Sequence, residues 1–201
     1  MLRKLLLVFC LVCGCLQVAA QGKLSNVKVE DADGKLVEIS SLVNGKPFIM
    51  SFWGITCKPC LMELNAINDQ LEEWQEEVDF EVVAVSIDDS RFSTRARSMA
   101  SGSGWDFICV FDKNQDLKRA MNVTFTPHTF IVDGQGNIVY SHTGYTPGSE
   151  LELFEKLKEK GTAILNQDDP VTQRWLGQLH RPVFTYGRDS VNFRIHPVAE
   201  T

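Results

Sequence analysis

The sequence predicts an α/β domain, and three observations carry that class. Short apolar runs rich in β-formers alternate with segments of helical period, the pattern of βαβ units with parallel strands. Tight-turn signals mark a hairpin on either side of that alternation. One apolar run passes directly into a long amphipathic segment through Cys57-Lys58-Pro59-Cys60. At 201 residues the chain suits one well-cored domain with extensions, since single domains commonly run about 100 to 200 residues. No internal repeat or low-complexity tract interrupts it.

The start pairs Arg3 and Lys4 with an apolar run from Leu5 to Leu16 and small residues at Val18, Ala19 and Ala20, so residues 1–20 are expected to be a secretory signal peptide cleaved after Ala20. The run is shorter than the roughly 20 residues that cross a bilayer as a helix. Val12-Cys13-Gly14-Cys15 also resembles a bacterial lipobox, which would lipidate Cys15 and tether the chain to a membrane. The expected location is extracytoplasmic, periplasmic or secreted.

Residues 26–39 read as two short strands around Asp33-Gly34, with Leu36, Val37 and Ile39 as apolar residues of the second. Residues 47–53 (Pro-Phe-Ile-Met-Ser-Phe-Trp) form a run suited to a strand buried on both faces. After Cys57, the residues Leu61, Leu64, Ile67, Leu71, Trp74 and Val78 recur at steps of three or four, which predicts a five-turn amphipathic helix. Phe80 to Ile87 is a strand, Phe92 to Ala100 a helix, Phe107 to Phe111 a buried strand and Asp116 to Met121 a short helix. Thr129 to Val132 and Ile138 to Tyr140 flank a hairpin turn at 134–137. A last helix covers Glu150 to Lys160, with Leu151, Phe154 and Leu157 facing inward and Glu152 placed to pair with Lys156. The domain is expected over 21–161, followed by an extension at 162–201 with a stop at Asp168-Asp169-Pro170 and strand-like stretches at Val183 to Tyr186 and Val191 to Ile195.

Without residues 1–20, which hold two basic residues and no acid, 18 Lys and Arg face 26 Asp and Glu, a net charge of −8. An acidic surface repels phosphates, so nucleic acid is not an expected partner. Of six cysteines, Cys10, Cys13 and Cys15 lie in the export segment, leaving Cys57, Cys60 and Cys109. Three thiols do not make a disulfide scaffold, so in an oxidising compartment the close pair is either a structural bridge or a redox centre.

Its position favours the second. At a helix start the unpaired backbone N–H groups and the macrodipole favour negative charge, which lowers the pH at which the Cys57 thiolate persists. Pro59 fits the first turn, where its missing N–H costs nothing, and stiffens the link between the sulfurs. A zinc site would need about four ligands, and neither a second cysteine pair nor a nearby histidine pair is present. Cys109, inside an unbroken apolar strand, reads as a buried inert thiol.

Phe52-Trp53, Cys57-Lys58-Pro59-Cys60, Thr126-Pro127 and the run 130–133 (Phe-Ile-Val-Asp) stand in the order of the thioredoxin superfamily, which the chain resembles over roughly residues 24–160. Within it the chain is most similar to the ResA/TlpA group of exported proteins, on Asp33-Gly34-Lys35, the run 60–63 (Cys-Leu-Met-Glu) and the run 126–130 (Thr-Pro-His-Thr-Phe). The resemblance implies a thioredoxin-like fold, with a central mixed sheet flanked by helices and an N-terminal hairpin. It implies a thiol-disulfide oxidoreductase without a cofactor, acting on disulfide-containing protein substrates and re-reduced by a membrane thiol electron donor. Pro127 would be a cis-proline facing the cysteines, and Thr126 would offer backbone hydrogen bonds to an extended client.

Cys57 would then attack, Cys60 resolve, and Glu63, three residues on along the helix, manage the proton of Cys60. Glu63 also reads simply as an acid in an early helical turn, stabilised by the dipole. Trp53, Thr56, Lys58, Pro59, Thr126 and Pro127 are the candidate substrate-binding residues, with Trp53 either an aromatic wall beside the site or plain core. Thr56 stands where the group commonly has Trp, and Ser51 where thioredoxin has a buried Asp. His128 is a histidine within possible reach of the sulfurs. Proteins with this motif range from about −270 to about −120 mV, and the resemblance favours a reductase. A copper(I)-binding metallochaperone using the same two thiolates is the alternative from another class. A peroxidase of this fold would ordinarily carry Thr at position 54, which is Gly.

Overall fold

The computed structural model describes residues 22–160 and the strands at 163–166, 183–186 and 194–196. The export segment, the Cys15 site and the stop at Asp168 to Pro170 lie outside the described residues.

The fold is organised by the strand Phe48–Trp53 (β3), in which every residue is buried. Such a run contains no polar alternation because both its faces are covered. It pairs in parallel with Glu81–Ser86 (β4), which pairs in parallel with Ile108–Phe111 (β5), and antiparallel with His128–Val132 (β6). Lys28–Glu30 (β1), Leu36–Glu38 (β2) and Ile138–Thr143 (β7) complete a seven-stranded mixed sheet ordered β2-β1-β5-β4-β3-β6-β7. The β1–β2 hairpin turns at Gly34, whose φ of 83° is the left-handed conformation expected of Asp-Gly. Ile39 falls outside β2 and opens a 3-10 turn, Ile39–Leu42, that buries its side chain completely.

Helix Lys58–Glu77 (α1) joins β3 to β4, and Ser93–Gly102 (α2) joins β4 to β5. Asp116–Ala120 (α3) and Ser149–Lys160 (α4) follow. On one sheet face Ile67, Leu71 and Trp74 of α1 meet Leu153, Phe154 and Leu157 of α4 over Ile49, Val82 and Ile131. The Trp74 and Phe154 rings stack with centroids 4.5 Å apart. On the opposite face Phe52, Val83, Val85 and Phe130 pack beneath Ile39, Leu117 and Val123. A third cluster, Trp53, Cys60, Leu64 and Ala84 with Ala96 and Ala100 of α2, underlies the cysteines.

Two sequence expectations are corrected and one is refined. Leu151 is 54% exposed, and Leu153 is buried in its stead. Steps of three fall short of a full helical turn by about 60°, so Leu151 lies about 120° round from Leu157, whereas Leu153 stays over the sheet. Lys156 makes its close ion pair with Glu159 at 3.0 Å, with Glu152 adding only a longer-range attraction, while Glu152 accepts the Tyr140 hydroxyl at 3.4 Å. Finally, β5 is not buried along its length: Ile108 is exposed and Cys109 half-buried. The neighbouring β1 meets β5 only at the pair Glu30 and Phe111, which leaves the first half of β5 uncovered on that side.

In the extension, Ala163–Asn166 (β8), Val183–Tyr186 (β9) and Arg194–His196 (β10) form a separate sheet ordered β10-β9-β8. The strand expected at Val183 to Tyr186 is present; the expected Val191 to Ile195 shares only Arg194 and Ile195 with β10, and residues 191–193 are not described.

The β6–β7 turn lies directly on the loop before β3, where a Cβ at Gly134 would stand 2.2 Å from the Gly45 carbonyl oxygen. Gly134→Ala is therefore expected to lower stability by about 1–3 kcal/mol in urea unfolding. Gly102→Ala, at the end of α2 with nothing within 4 Å of the new Cβ, is expected to change it by no more than about 0.5 kcal/mol.

Candidate active site

The backbone leaving β3 is fixed before it reaches the cysteines. The Ile55 N–H donates to Asp88 Oδ2 at 3.0 Å, and the Ser86 hydroxyl at the end of β4 donates to the same oxygen at 3.0 Å. The Cys57 N–H donates to the Gly54 carbonyl at 3.0 Å, closing the turn. Cys57 is the N-cap of α1, and its sulfur accepts the Cys60 N–H at 3.3 Å. That N–H belongs to the first turn, whose donors have no partner within the helix. Pro59 has no donor to leave unsatisfied there, and no acidic residue occupies the first turn to offset the positive helix end.

Cys57 and Cys60 form a disulfide with Cα atoms 5.3 Å apart. Their surroundings differ: Cys57 is half-buried among exposed Thr56, Lys58 and Pro59, while Cys60 is fully buried. A bulky partner can meet the first sulfur and not the second.

Because β6 runs antiparallel to β3 with His128 opposite Phe52, the segment before β6 lies at the same end of the sheet as the cysteine turn. The Thr126–Pro127 peptide there is cis. Pro127 is buried and its carbonyl accepts the Gly144 N–H at 2.8 Å; Thr126 is half-buried, and Phe125 beside it is 73% exposed.

Trp53 does not line the surface. It is fully buried and packs edge-on against Trp105, with centroids 5.3 Å apart, so it supports the site from within and offers a client no contact. His128 stacks on Phe130 at 4.2 Å, on the sheet face opposite Thr129. Burial, aided by the charge of His142, holds its imidazole below the usual range and so neutral.

Glu63, in the second turn of α1, is fully buried. One carboxylate oxygen accepts the Ser51 hydroxyl at 2.9 Å and the Thr129 hydroxyl at 2.8 Å, and the other lies 2.8 Å from His142 Nε2. Ser51 pairs in register with Thr129, and Thr129 with His142, so β3, β6 and β7 each present one polar group to the carboxylate that α1 lowers onto the sheet. Ser51, unable itself to accept a proton from a thiol as a carboxylate would, is thereby a ligand of the carboxylate that comes from the helix.

Sequence reasoning missed Asp88 and His142. The run 86–88 (Ser-Ile-Asp) closing an apolar strand was a usable signal for the first. His142 sits in an ordinary alternating edge strand and carries no local signal. Among the described residues, no group of three or more His, Cys, Asp and Glu side chains is placed to hold a metal.

Burial pushes the Cys109 thiol up to about 11. At pH 8 it presents about a hundredfold less thiolate than an ordinary cysteine, and the shortfall closes only as pH rises toward 11. Iodoacetamide at pH 8 is expected to label the reduced chain at Cys57 well before Cys109, as peptide mapping would read directly.

The chain resembles known proteins through this region. Thiol-disulfide oxidoreductase ResA of Bacillus subtilis (strain 168) is 29% identical over 136 residues, spanning 68% of this chain and 74% of that protein. The same-named protein of Bacillus thuringiensis (strain Al Hakam) is 28% identical over 131 residues, spanning 65% and 73%. The solution structure of a thioredoxin-like protein from Porphyromonas gingivalis superposes with a TM-score of 0.62 at 47% identity, covering 70% of this chain and 91% of that one. The fold is thus thioredoxin-like, and the match of residues 20–141 to the AhpC/TSA family, more than half the sequence and inclusive of both cysteines and the Thr126–Pro127 segment, makes this chain a member of that family.

Proposed function

We propose that the chain is a thiol-disulfide oxidoreductase that reduces disulfides in extracytoplasmic proteins through Cys57 and Cys60. The observation that carries this reading is the asymmetry of the pair: a half-buried sulfur capping α1, bonded to a fully buried one. The ResA relatives and the thioredoxin-like fold support it.

In the dithiol state the Cys57 thiolate attacks one sulfur of a client disulfide. The client S–S bond breaks, its other sulfur leaves as a thiolate that takes up a proton, and a mixed disulfide remains. Cys60 then gives up its proton, its sulfur attacks Cys57 Sγ, and the second client sulfur leaves. The client gains two electrons and two protons; counted from the thiolate–thiol form, Cys57 and Cys60 lose two electrons and the one proton of Cys60, and the second proton comes from water. A membrane thiol donor returns the electrons by the reverse exchange. Thr56, Lys58, Pro59 and Thr126 form the contact rim, with the buried Pro127 joined to Thr126 by the cis peptide. Glu63, one turn beyond Cys60, receives the Cys60 proton. The basic and apolar start of the sequence supports export; among the described residues no helix is long and apolar enough to cross a membrane.

Reduction of a test protein disulfide by the purified chain tests this. Cys57→Ser is expected to lower the rate at least about a thousandfold, and Cys60→Ser to accumulate a mixed disulfide with the client. No exchange together with tight copper(I) binding would establish the metallochaperone reading, and rapid peroxide turnover without exchange would establish a peroxidase.

A further inference from the structure

The resolving step requires a proton to leave a sealed place. Cys60 is fully buried, and so are Glu63 and two of the three groups on its carboxylate, Ser51 and Thr129. A proton accepted by Glu63 has no contact with water through them. The third group differs: His142 has 18% of its side chain exposed against 0% for Glu63. It lines a cavity of about 390 Å³ with Thr143, Gly144, Tyr145, Ser149 and Glu152. An imidazole can accept a proton on one ring nitrogen and release one from the other, which suits it to join a buried carboxylate to solvent.

The geometry points to His142 as a positioning residue that carries the proton of Cys60 from Glu63 to solvent through this cavity, and back when the disulfide is re-reduced. This rests on the oxidoreductase reading. The sulfur keeps the electron pair and forms the bond to Cys57 Sγ while the client thiolate leaves. The proton passes from Cys60 to the Glu63 carboxylate, then to His142 Nε2, and a proton leaves from the imidazole to water.

The other titratable groups around the pair do not replace it. The Tyr145 hydroxyl, donating to Glu150 at 2.9 Å, is pushed up to about 12 chiefly by burial, so it stays protonated. Tyr140, with its ring 6.0 Å from that of His142, is likewise raised chiefly by burial; its hydroxyl engages Glu152 of α4, near Lys156. His128, whose side chain faces the opposite side of the sheet from Thr129, is held neutral by burial.

A symmetrical nitrothiobenzoate disulfide releases one coloured thiol when Cys57 attacks and a second when Cys60 resolves, so stopped-flow absorbance separates the two steps. With Cys109→Ser throughout, His142→Gln is expected to slow the second release about tenfold near neutral pH while the first stays within about twofold. The deficit should shrink as pH rises, because hydroxide entering the cavity beside residue 142 can then take the proton from Glu63. His142→Ala should show the same defect, and added imidazole should restore it. An unchanged second release, equal slowing of both releases, or a folded His142→Ala that imidazole does not rescue would overturn the inference; if the alanine variant does not fold, the pH profile of His142→Gln decides. Normal two-step release by the parent chain with no effect of His142→Gln would sink this inference alone, whereas a parent chain that releases neither thiol would overturn the functional reading and this with it.

Discussion

The N-terminal turn of α1 is the constraint on which the site depends. A helix start leaves backbone donors without partners, and here the first of the available acceptors is the sulfur of Cys57, which takes the Cys60 N–H. That contact exists because the turn is held at both ends. Before it, β3 is buried on both faces, and Asp88 ties the Ile55 backbone to the end of β4. After it, α1 is clamped to α4 by the Trp74–Phe154 stack. Aromatic pairs of this kind contribute about 0.5–1.5 kcal/mol beyond the area they bury. With the turn held there, the charge preference of the helix start acts on the Cys57 sulfur.

The second organising feature lies one turn along. A carboxylate removed from water loses several kcal/mol of hydration, and each hydrogen bond to a charged group returns about 1.5–3 kcal/mol. Glu63 accepts two such bonds, from Ser51 of β3 and Thr129 of β6, and has His142 Nε2 of β7 at 2.8 Å, so its burial is sustained by a row of cross-strand neighbours and not by one partner. Helix and sheet therefore specify each other's position: moving α1 by a residue would carry Glu63 off the row and bury an unpaired carboxylate. The same residue stands three positions beyond Cys60 on α1, one helical turn along from the sealed sulfur.

Much of the scaffold was legible in the sequence because its causes are local. An apolar run without alternation marks β3, steps of three and four mark α1, and Asp33-Gly34 marks the first hairpin; each is decided by residues within a few positions of one another. What failed depended on which neighbours cover a segment. Cys109 looked sealed within an apolar run, but β1 covers only the far end of β5. Leu151 looked inward because steps of three resemble a helix face until the angle accumulates. Trp53 could have been wall or core, and only the packing of Trp105 against it decides for core. His142 pairs with a residue 79 positions away, with three strands and two helices between them in the chain, and no local pattern encodes that meeting.

The central claim, that the start of α1 stabilises negative charge on Cys57, is tested most directly by following the ultraviolet absorbance of thiolate in the reduced chain against pH, with Cys57→Ser subtracted. The account predicts half-titration of Cys57 at a pH below that of an ordinary cysteine, about 8.5. Half-titration at or above about 8.5 would contradict it.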